Sequence, residues 1–263
     1  MVELTQKEIK DILSIVDRAD LSDDAYINED NFEYIFDRCW GNGVCRFDSG
    51  VSKGVLFLDD YPNIVVKIPF TGGGEEYYRS YYTNEDGDTC ITYNCCSESF
   101  DSAWQSLPSR LEDKLIRNWD YCEVETILFN DARKHSVDNF FAETIFIGYS
   151  HGHPVYVQEK ARIYEGEPEY EEGMEEDEAR RAFHLYHEIK AELKEYLDIK
   201  NCQIVWMHSP SKWVIDFYLY YGIKEVAALW KYLEDTGIED LHASNVGYIN
   251  HRPVITDYAS FNS

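Results

Sequence analysis

Basic side chains are scarce in this chain of 263 residues, which has 24 Lys and Arg residues against 50 Asp and Glu residues. The formal net charge of −26 leaves no basic patch dense enough to neutralise a row of phosphates. We therefore expect neither a nucleic-acid-binding surface nor a surface for an anionic membrane. Any site for a small anion must bring its own local cations.

Paired cysteines and long apolar runs are also missing. The seven cysteines are an odd number and no two have C-x-x-C spacing, which argues against a zinc site or a disulfide framework and favours reduced thiols. No apolar run is long enough to span a membrane, and the charged amphipathic start of the chain is unlike a signal peptide. These absences predict a cytoplasmic protein. The length of 263 residues is enough for one large domain or two lobes, and the apolar content of 44% argues for a globular protein.

The first 160 residues are rich in strand patterns. Apolar and β-branched residues predict strands at 43–47, 54–58, 64–68, 140–149 and 154–159, and helical spacing predicts helices at 5–18, 29–38 and 119–134. Thr5 is the expected N-cap of the first helix. Residues 71–118 are interpreted as an irregular insertion with helical stretches at 100–107 and 111–118. These patterns predict an antiparallel sheet with one principal helix.

The rest of the chain has helical patterns instead. After an acidic linker at 165–178, helical spacing predicts helices at 177–197, 212–221 and 224–236, and short strands at 246–249 and 254–256 follow. The whole pattern predicts an N-terminal helical extension (1–42), a strand-rich lobe (43–160) with the insertion, and a mostly helical lobe (161–263).

Three polar residues near the carboxyl end have the most informative spacing. Asn245 lies five residues after Asp240, and Asp257 follows an apolar strand. A carboxylate, a carboxamide and a second carboxylate in this order can hold a hydroxyl nucleophile and Mg²⁺ beside a nucleotide triphosphate. We therefore predict an ATP site with Asn245 and Asp257 as metal ligands.

A lysine inside an apolar strand can supply the local cation. Lys67 lies within the strand 64–68, and a turn containing Gly50 precedes it across a predicted hairpin. Such a turn offers backbone N–H groups to phosphates. The helix at 119–134 offers Glu125 as the partner of Lys67, on the face that it shares with other inward-facing positions. Glu123, on the adjacent face, is the alternative partner.

The order of these motifs resembles that of the protein-kinase-like superfamily, including its aminoglycoside-phosphotransferase-like branch. The motif D-L-H-x-x-N-x-G that begins at Asp240 is similar to that of small bacterial and bacteriophage kinase-like proteins, and Asp257-Tyr258-Ala259 stands in place of D-F-G. The resemblance covers 43–263. It implies an α+β, two-lobed protein-kinase-like fold, with an antiparallel-sheet N-lobe with one main helix and a mostly helical, truncated C-lobe. It also implies a cytoplasmic location, in a bacterial cell or in the host cell of a phage.

The resemblance implies a role for each site residue. Lys67 would hold the α- and β-phosphates and pair with Glu125, and Asp240 would orient or deprotonate the acceptor hydroxyl. Asn245 and Asp257 would bind Mg²⁺. Backbone groups would contact the rest of ATP: those of Ser49, Gly50, Val51, Ser52 and Lys53 would cover the phosphates, and those of a hinge near Glu159 and Ala161 would meet adenine.

Departures from the family's pattern leave the function open. Ile238 and Glu239 stand where the family has His-Arg or His-Gly, and Lys53 stands where the third glycine of the turn is expected. The chain ends six residues after Asp257, without the family's activation segment, so the usual platform for a peptide substrate is expected to be missing. We expect an Mg-ATP-dependent phosphotransferase acting on a protein or small-molecule hydroxyl. The alternatives are AMP transfer from ATP, a pseudokinase-type interaction protein without phosphotransfer, and an acidic mimic that occupies a basic surface.

Overall fold

The fold is α+β and its described residues form two compact units. A computed structural model describes residues 2–19, 42–49, 53–69, 78–83, 89–94, 121–163, 176–197, 212–236, 238 and 241–259. The first unit comprises Met1–Phe129 and Glu143–Lys160, and the second comprises Asn130–Ala142 and Ala161–Asn262. The helices predicted at 29–38, 100–107 and 111–118 lie outside the described residues.

The first unit is built on a five-stranded antiparallel sheet. The strands of this unit, in chain order, are β1 (Val44–Ser49), β2 (Lys53–Leu58), β3 (Ile64–Pro69), β4 (Tyr78–Thr83), β5 (Thr89–Asn94), β6 (Thr144–Ser150) and β7 (His153–Glu159). The five-stranded sheet has the order β1-β2-β3-β7-β6, and β4 and β5 form a separate antiparallel pair. The antiparallel sheet that the sequence predicts is confirmed.

Helix α1 (Gln6–Arg18) packs on one face of this sheet. It begins with a capping box, in which Thr5 accepts a hydrogen bond from the Glu8 N–H at 3.3 Å and the Glu8 carboxylate accepts one from the Thr5 N–H at 2.7 Å. Its buried residues and alternate strand residues form one apolar cluster, which includes Ile12, Ile15, Val16, Leu56, Leu58, Ile64, Val66, Ile68, Val155 and Val157. Since side chains alternate along a strand, the side chain of Lys67 lies on the opposite face.

Helix α2 (Tyr121–Lys134) supplies the carboxylate that meets Lys67. Tyr121, Glu125 and Leu128 are buried and lie at i, i+4 and i+7, which places them on one face of the helix. The face predicted from the sequence is therefore the buried one. The part of α2 up to Phe129 belongs to the first unit.

In its described residues, the second unit contains three helices and a small sheet. The helices are α3 (Glu176–Tyr196), α4 (Lys212–Tyr221) and α5 (Ile223–Thr236), and their buried side chains include Tyr186, Ile189, Leu193, Trp213, Phe217, Leu229, Trp230 and Leu233. Gly222, with φ of +82°, donates its N–H to the Tyr218 carbonyl at 2.8 Å and lets α5 begin directly after α4. None of the helices in the described ranges is long and apolar enough to cross a membrane.

The small sheet carries the carboxyl-terminal motif residues. Its strands are β8 (Arg162–Ile163), β9 (Val246–Ile249) and β10 (Arg252–Ile255), in the order β10-β9-β8. Asn250 and His251 both have positive φ, at 49° and 67°, as a two-residue turn of type I′ requires.

The structure corrects several predicted elements. The insertion contains the strands β4 and β5, whose Tyr, Thr and Ile residues favour strand over irregular chain. The strand predicted at 140–149 begins only at Thr144, after a 3₁₀ turn at Asp138–Phe140.

Helix α1 belongs to the first unit, because its buried face completes the apolar cluster on the sheet. Asn130–Ala142 belongs to the second unit, where the Ala142 N–H donates to the Ile255 carbonyl at 2.9 Å.

Candidate functional site

Lys67 and Glu125 form a buried ion pair in the first unit. The Lys67 Nζ lies 3.0 Å from Glu125 Oε1 and 2.9 Å from Oε2. The two residues are 4% and 0% exposed, so the pair is shielded from water and its attraction is little screened. Of the two candidate partners, Glu125 rather than Glu123 therefore contacts Lys67.

A second lysine shares the same carboxylate. Lys53 is the first residue of β2, is 3% exposed, and places its Nζ 2.7 Å from Glu125 Oε1. Val55 is directly opposite Lys67 in the β2–β3 ladder, and Lys53 lies two residues before Val55 on the same face of the sheet. We call Lys53, Glu125 and Lys67 the charged triad.

Two neutral side chains orient the triad. Thr144 donates its hydroxyl to Glu125 Oε2 at 2.7 Å, and the Gln158 amide donates to the Thr144 hydroxyl at 2.8 Å. Thr144 and Gln158 are cross-strand neighbours in the β6–β7 ladder and both are buried. Each Glu125 oxygen thus accepts two hydrogen bonds, which fills the lone-pair positions of a carboxylate and fixes its orientation.

Lys53 and Ser49 lie in strands. The sequence predicts a turn that contains Gly50, with the backbone of Ser49 and Lys53 among the groups that would cover phosphates. In the structure Ser49 ends β1 and Lys53 begins β2, because the two strands pair as far as Ser49 opposite Gly54. The side chain of Lys53, rather than its place in a turn, is its notable feature. Gly50, Val51 and Ser52 lie outside the described residues.

Asn245 and Asp257 lie on neighbouring segments of the second unit. Asn245 is buried at the end of a 3₁₀ turn and immediately precedes β9, and its main-chain carbonyl accepts the Thr256 N–H at 2.8 Å. The Thr256 hydroxyl donates to the same carbonyl at 3.2 Å. Because Asp257 follows Thr256, the hairpin β9–β10 places the backbones of Asn245 and Asp257 on neighbouring segments. Asp240 lies outside the described residues.

Packing around these two residues holds the hairpin in place. Tyr258 is 1% exposed and donates its hydroxyl to the Ala142 carbonyl at 2.9 Å, which anchors the chain directly after Asp257. At Gly247, in β9, an added Cβ would lie 2.9 Å from the Arg162 carbonyl oxygen and 2.9 Å from the Ala161 Cβ. A side chain at this position would therefore push β9 away from β8.

The predicted hinge residues lie at the end of β7. Glu159 is the last residue of that strand and is opposite Ile64, and Ala161 is half-buried just before β8. Between them, Lys160 donates its backbone N–H to the Asn63 carbonyl at 2.9 Å. That N–H is occupied by a bond within the first unit.

Metal-ligand clusters of the usual kind are absent from the described ranges. No group of three or more His, Cys, Asp or Glu side chains there could hold a metal ion. The side-chain oxygens of an asparagine and an aspartate, such as Asn245 and Asp257, suit Mg²⁺. This ion keeps several waters and takes one or two protein carboxylates together with phosphate oxygens.

Sequence reasoning missed three members of the first unit's polar network: the side chains of Lys53, Thr144 and Gln158. A usable signal for Lys53 was the turn at 59–63, which sets the β2–β3 register and so places Lys53 and Lys67 on one face. Thr144 and Gln158 carry no such signal, since polar residues in half-buried strands are ordinary.

Comparisons with models of protein families, with curated proteins and with solved structures found nothing that matches this chain.

Proposed function

We propose that the chain is an Mg-ATP-dependent phosphotransferase that moves the γ-phosphoryl group of ATP to a protein or small-molecule hydroxyl. The observation that carries the proposal is the buried pair of Lys67 and Glu125, at 2.9 Å between Nζ and Oε2. A strand lysine held by a helix glutamate is the arrangement with which kinases position an ammonium group against ATP phosphates.

The architecture agrees with this proposal. In it, the first unit is the N-lobe of a protein-kinase-like fold, with α2 as its one main helix, and the second unit is a mostly helical C-lobe. The antiparallel sheet, the position of Lys67 on β3 and the position of Glu125 on α2 support the first assignment. The helices α3 to α5 and the hairpin β9–β10 support the second.

Each side chain has a defined task in the proposed transfer. Lys67 holds the α- and β-phosphates, and Glu125 holds its ammonium group in place. Asp240 orients the acceptor hydroxyl and takes its proton as the acceptor oxygen forms a bond to the γ-phosphorus. The bond from that phosphorus to the β–γ bridging oxygen breaks, and ADP leaves with the electron pair.

Asn245 and Asp257 fit the binding of Mg²⁺. Their carboxamide and carboxylate supply hard oxygen donors, and the hydrogen bonds from Thr256 to the Asn245 carbonyl keep the two residues on adjacent segments. A bound magnesium ion would neutralise charge on the phosphate oxygens.

A thermal-shift titration tests nucleotide binding. We expect ATP at about 1 mM, near the upper end of ordinary KM values, to raise the melting temperature only when Mg²⁺ is present. Asp257→Ala should abolish the Mg²⁺-dependent part of the shift. Asp235→Ala removes one exposed carboxylate of α5 in the same unit and should leave the shift unchanged.

Labelled ATP then identifies the group that is transferred. Incubation of a cell lysate with γ-labelled ATP should give labelled product, and Asp240→Asn should abolish labelling while ATP binding persists. If only α-labelled ATP gives labelled product, the reaction is AMP transfer rather than phosphoryl transfer. Absence of any thermal shift in the wild-type protein would favour an interaction protein without phosphotransfer.

A further inference from the structure

The charged triad contains one lysine more than the proposed function uses. Glu125 accepts two hydrogen bonds from Lys67 and one from Thr144, and a fourth comes from Lys53. The ion pair with Lys67 already engages both carboxylate oxygens. Orienting Lys67 therefore does not require a second buried ammonium group, whose removal from water is costly.

The placement of Lys53 suggests what the second ammonium group does. Lys53 is the first residue of β2 and its side chain is buried. Its side chain lies on the same face of the sheet as that of Lys67, and both reach the same carboxylate.

We propose that Lys53 is a second phosphate-binding lysine, which contacts the triphosphate of ATP together with Lys67 and is held for this purpose by their shared partner Glu125. This inference rests on the proposed function, because it assigns a further contact to the same nucleotide. It predicts a site selective for the polyphosphate part of ATP, with each lysine carrying a separate share of the affinity.

An affinity label tests the inference on the unaltered protein. An acyl phosphate of ATP transfers its acyl group to lysine amines that lie beside the bound phosphates. After labelling and peptide mapping, we expect acylation of both Lys53 and Lys67, and protection of both by excess ATP. Acylation of Lys67 alone would overturn the inference.

Variants measure how much Lys53 contributes. Lys53→Met removes the charge but keeps an unbranched chain, and we expect the Kd for Mg-ATP to rise by ~10-fold or more, as for loss of a charged hydrogen bond, with the Kd for adenosine unchanged. Lys67→Met should behave in the same way. Lys10→Met removes an exposed lysine of α1 in the same unit and should change neither constant.

The outcomes separate this inference from the proposed function. Folded Lys53→Met protein that binds Mg-ATP within about 2-fold of wild type would show that Lys53 only neutralises Glu125. If Lys53→Met does not fold, the labelling pattern of the wild-type protein decides. Wild-type protein that binds no ATP would refute the proposed function itself, and the inference with it.

Discussion

Replacing Glu125 by Gln should strongly destabilise the first unit. Glu125 is 0% exposed and its two oxygens accept four hydrogen bonds, three from lysine ammonium groups and one from the Thr144 hydroxyl. A carboxamide has one oxygen and one NH₂ group. Either orientation of the Gln side chain therefore turns a donor toward other donors, and two buried ammonium groups lose the negative charge that they share.

The size of the effect follows from the burial of the triad. Removal of one partner from a buried ion pair costs ~3–5 kcal/mol, whereas the whole stability of a domain is about 5–15 kcal/mol. At an m-value of ~2 kcal/mol per molar urea, the unfolding midpoint of the first unit should fall by about 2 M. The variant should therefore remain folded unless the wild-type unit is at the low end of that range.

Hydrogen exchange gives the assay that is specific to the first unit. In Glu125→Gln, hydrogen exchange of the amides of β3 and β7 should accelerate by the factor that corresponds to the loss in free energy of unfolding. The shift of the urea midpoint should give the same loss. Glu123→Gln is the control: it makes the same chemical change on a half-buried residue of the same helix and should cost less than ~1 kcal/mol. Equal losses in the two variants would contradict the assignment of Glu125 as the partner of both lysines.

Three further changes have defined outcomes. Gly247→Ala should cost ~1–3 kcal/mol in urea unfolding and weaken Mg²⁺-dependent ATP binding, because its Cβ would lie 2.9 Å from the Arg162 carbonyl oxygen; no loss would mean that β8 and β9 separate freely. Burial, and to a lesser extent the charge of His151, lowers the pKa of His153 from 6.5, so the unfolded chain binds a proton first as the pH falls. The contribution of His153 to the free energy of unfolding is therefore present above pH 6.5 and is lost as the pH falls below it. His153→Gln should lessen this loss between about pH 7 and pH 5. Replacing the whole charged triad by Met should leave the urea midpoint equal or higher while abolishing ATP binding; a large loss of stability would assign the triad a structural role.

Much of the fold could be predicted because the decisive signals are local. Each signal involves only a few neighbouring residues: the spacing of apolar residues in α1, its capping residue Thr5, and the β-branched residues of the strand 64–68. The structure has α1 and this strand at the predicted positions. The pair β4–β5 was not predicted, because its strand-forming residues lie within a Gly-rich and polar stretch whose composition favours an irregular chain.

The candidate site could be predicted only where one element suffices. The buried face of α2 is visible in its helical period, so Glu125 could be named as the partner of Lys67. The role of the Lys53 side chain depends on the register between two strands, and a shift of one residue would turn it to the other face of the sheet. The turn at 59–63 sets that register, so its signal becomes usable only when the two strands are considered together.

The energetics of the charged triad support a ligand-binding role over a structural one. Two lysines and a glutamate at 5% exposure or less pay a desolvation cost that their mutual attraction only partly offsets, and apolar residues of similar volume often give equal or greater stability. An apolar core is possible in this fold, because on the opposite face of the same sheet Leu56, Val66 and Ile68 pack with α1 without any charged side chain. The desolvation cost of the triad supports the proposal that a ligand requires fixed ammonium groups here. A polyphosphate has the charge, and the number of acceptor oxygens, to use both.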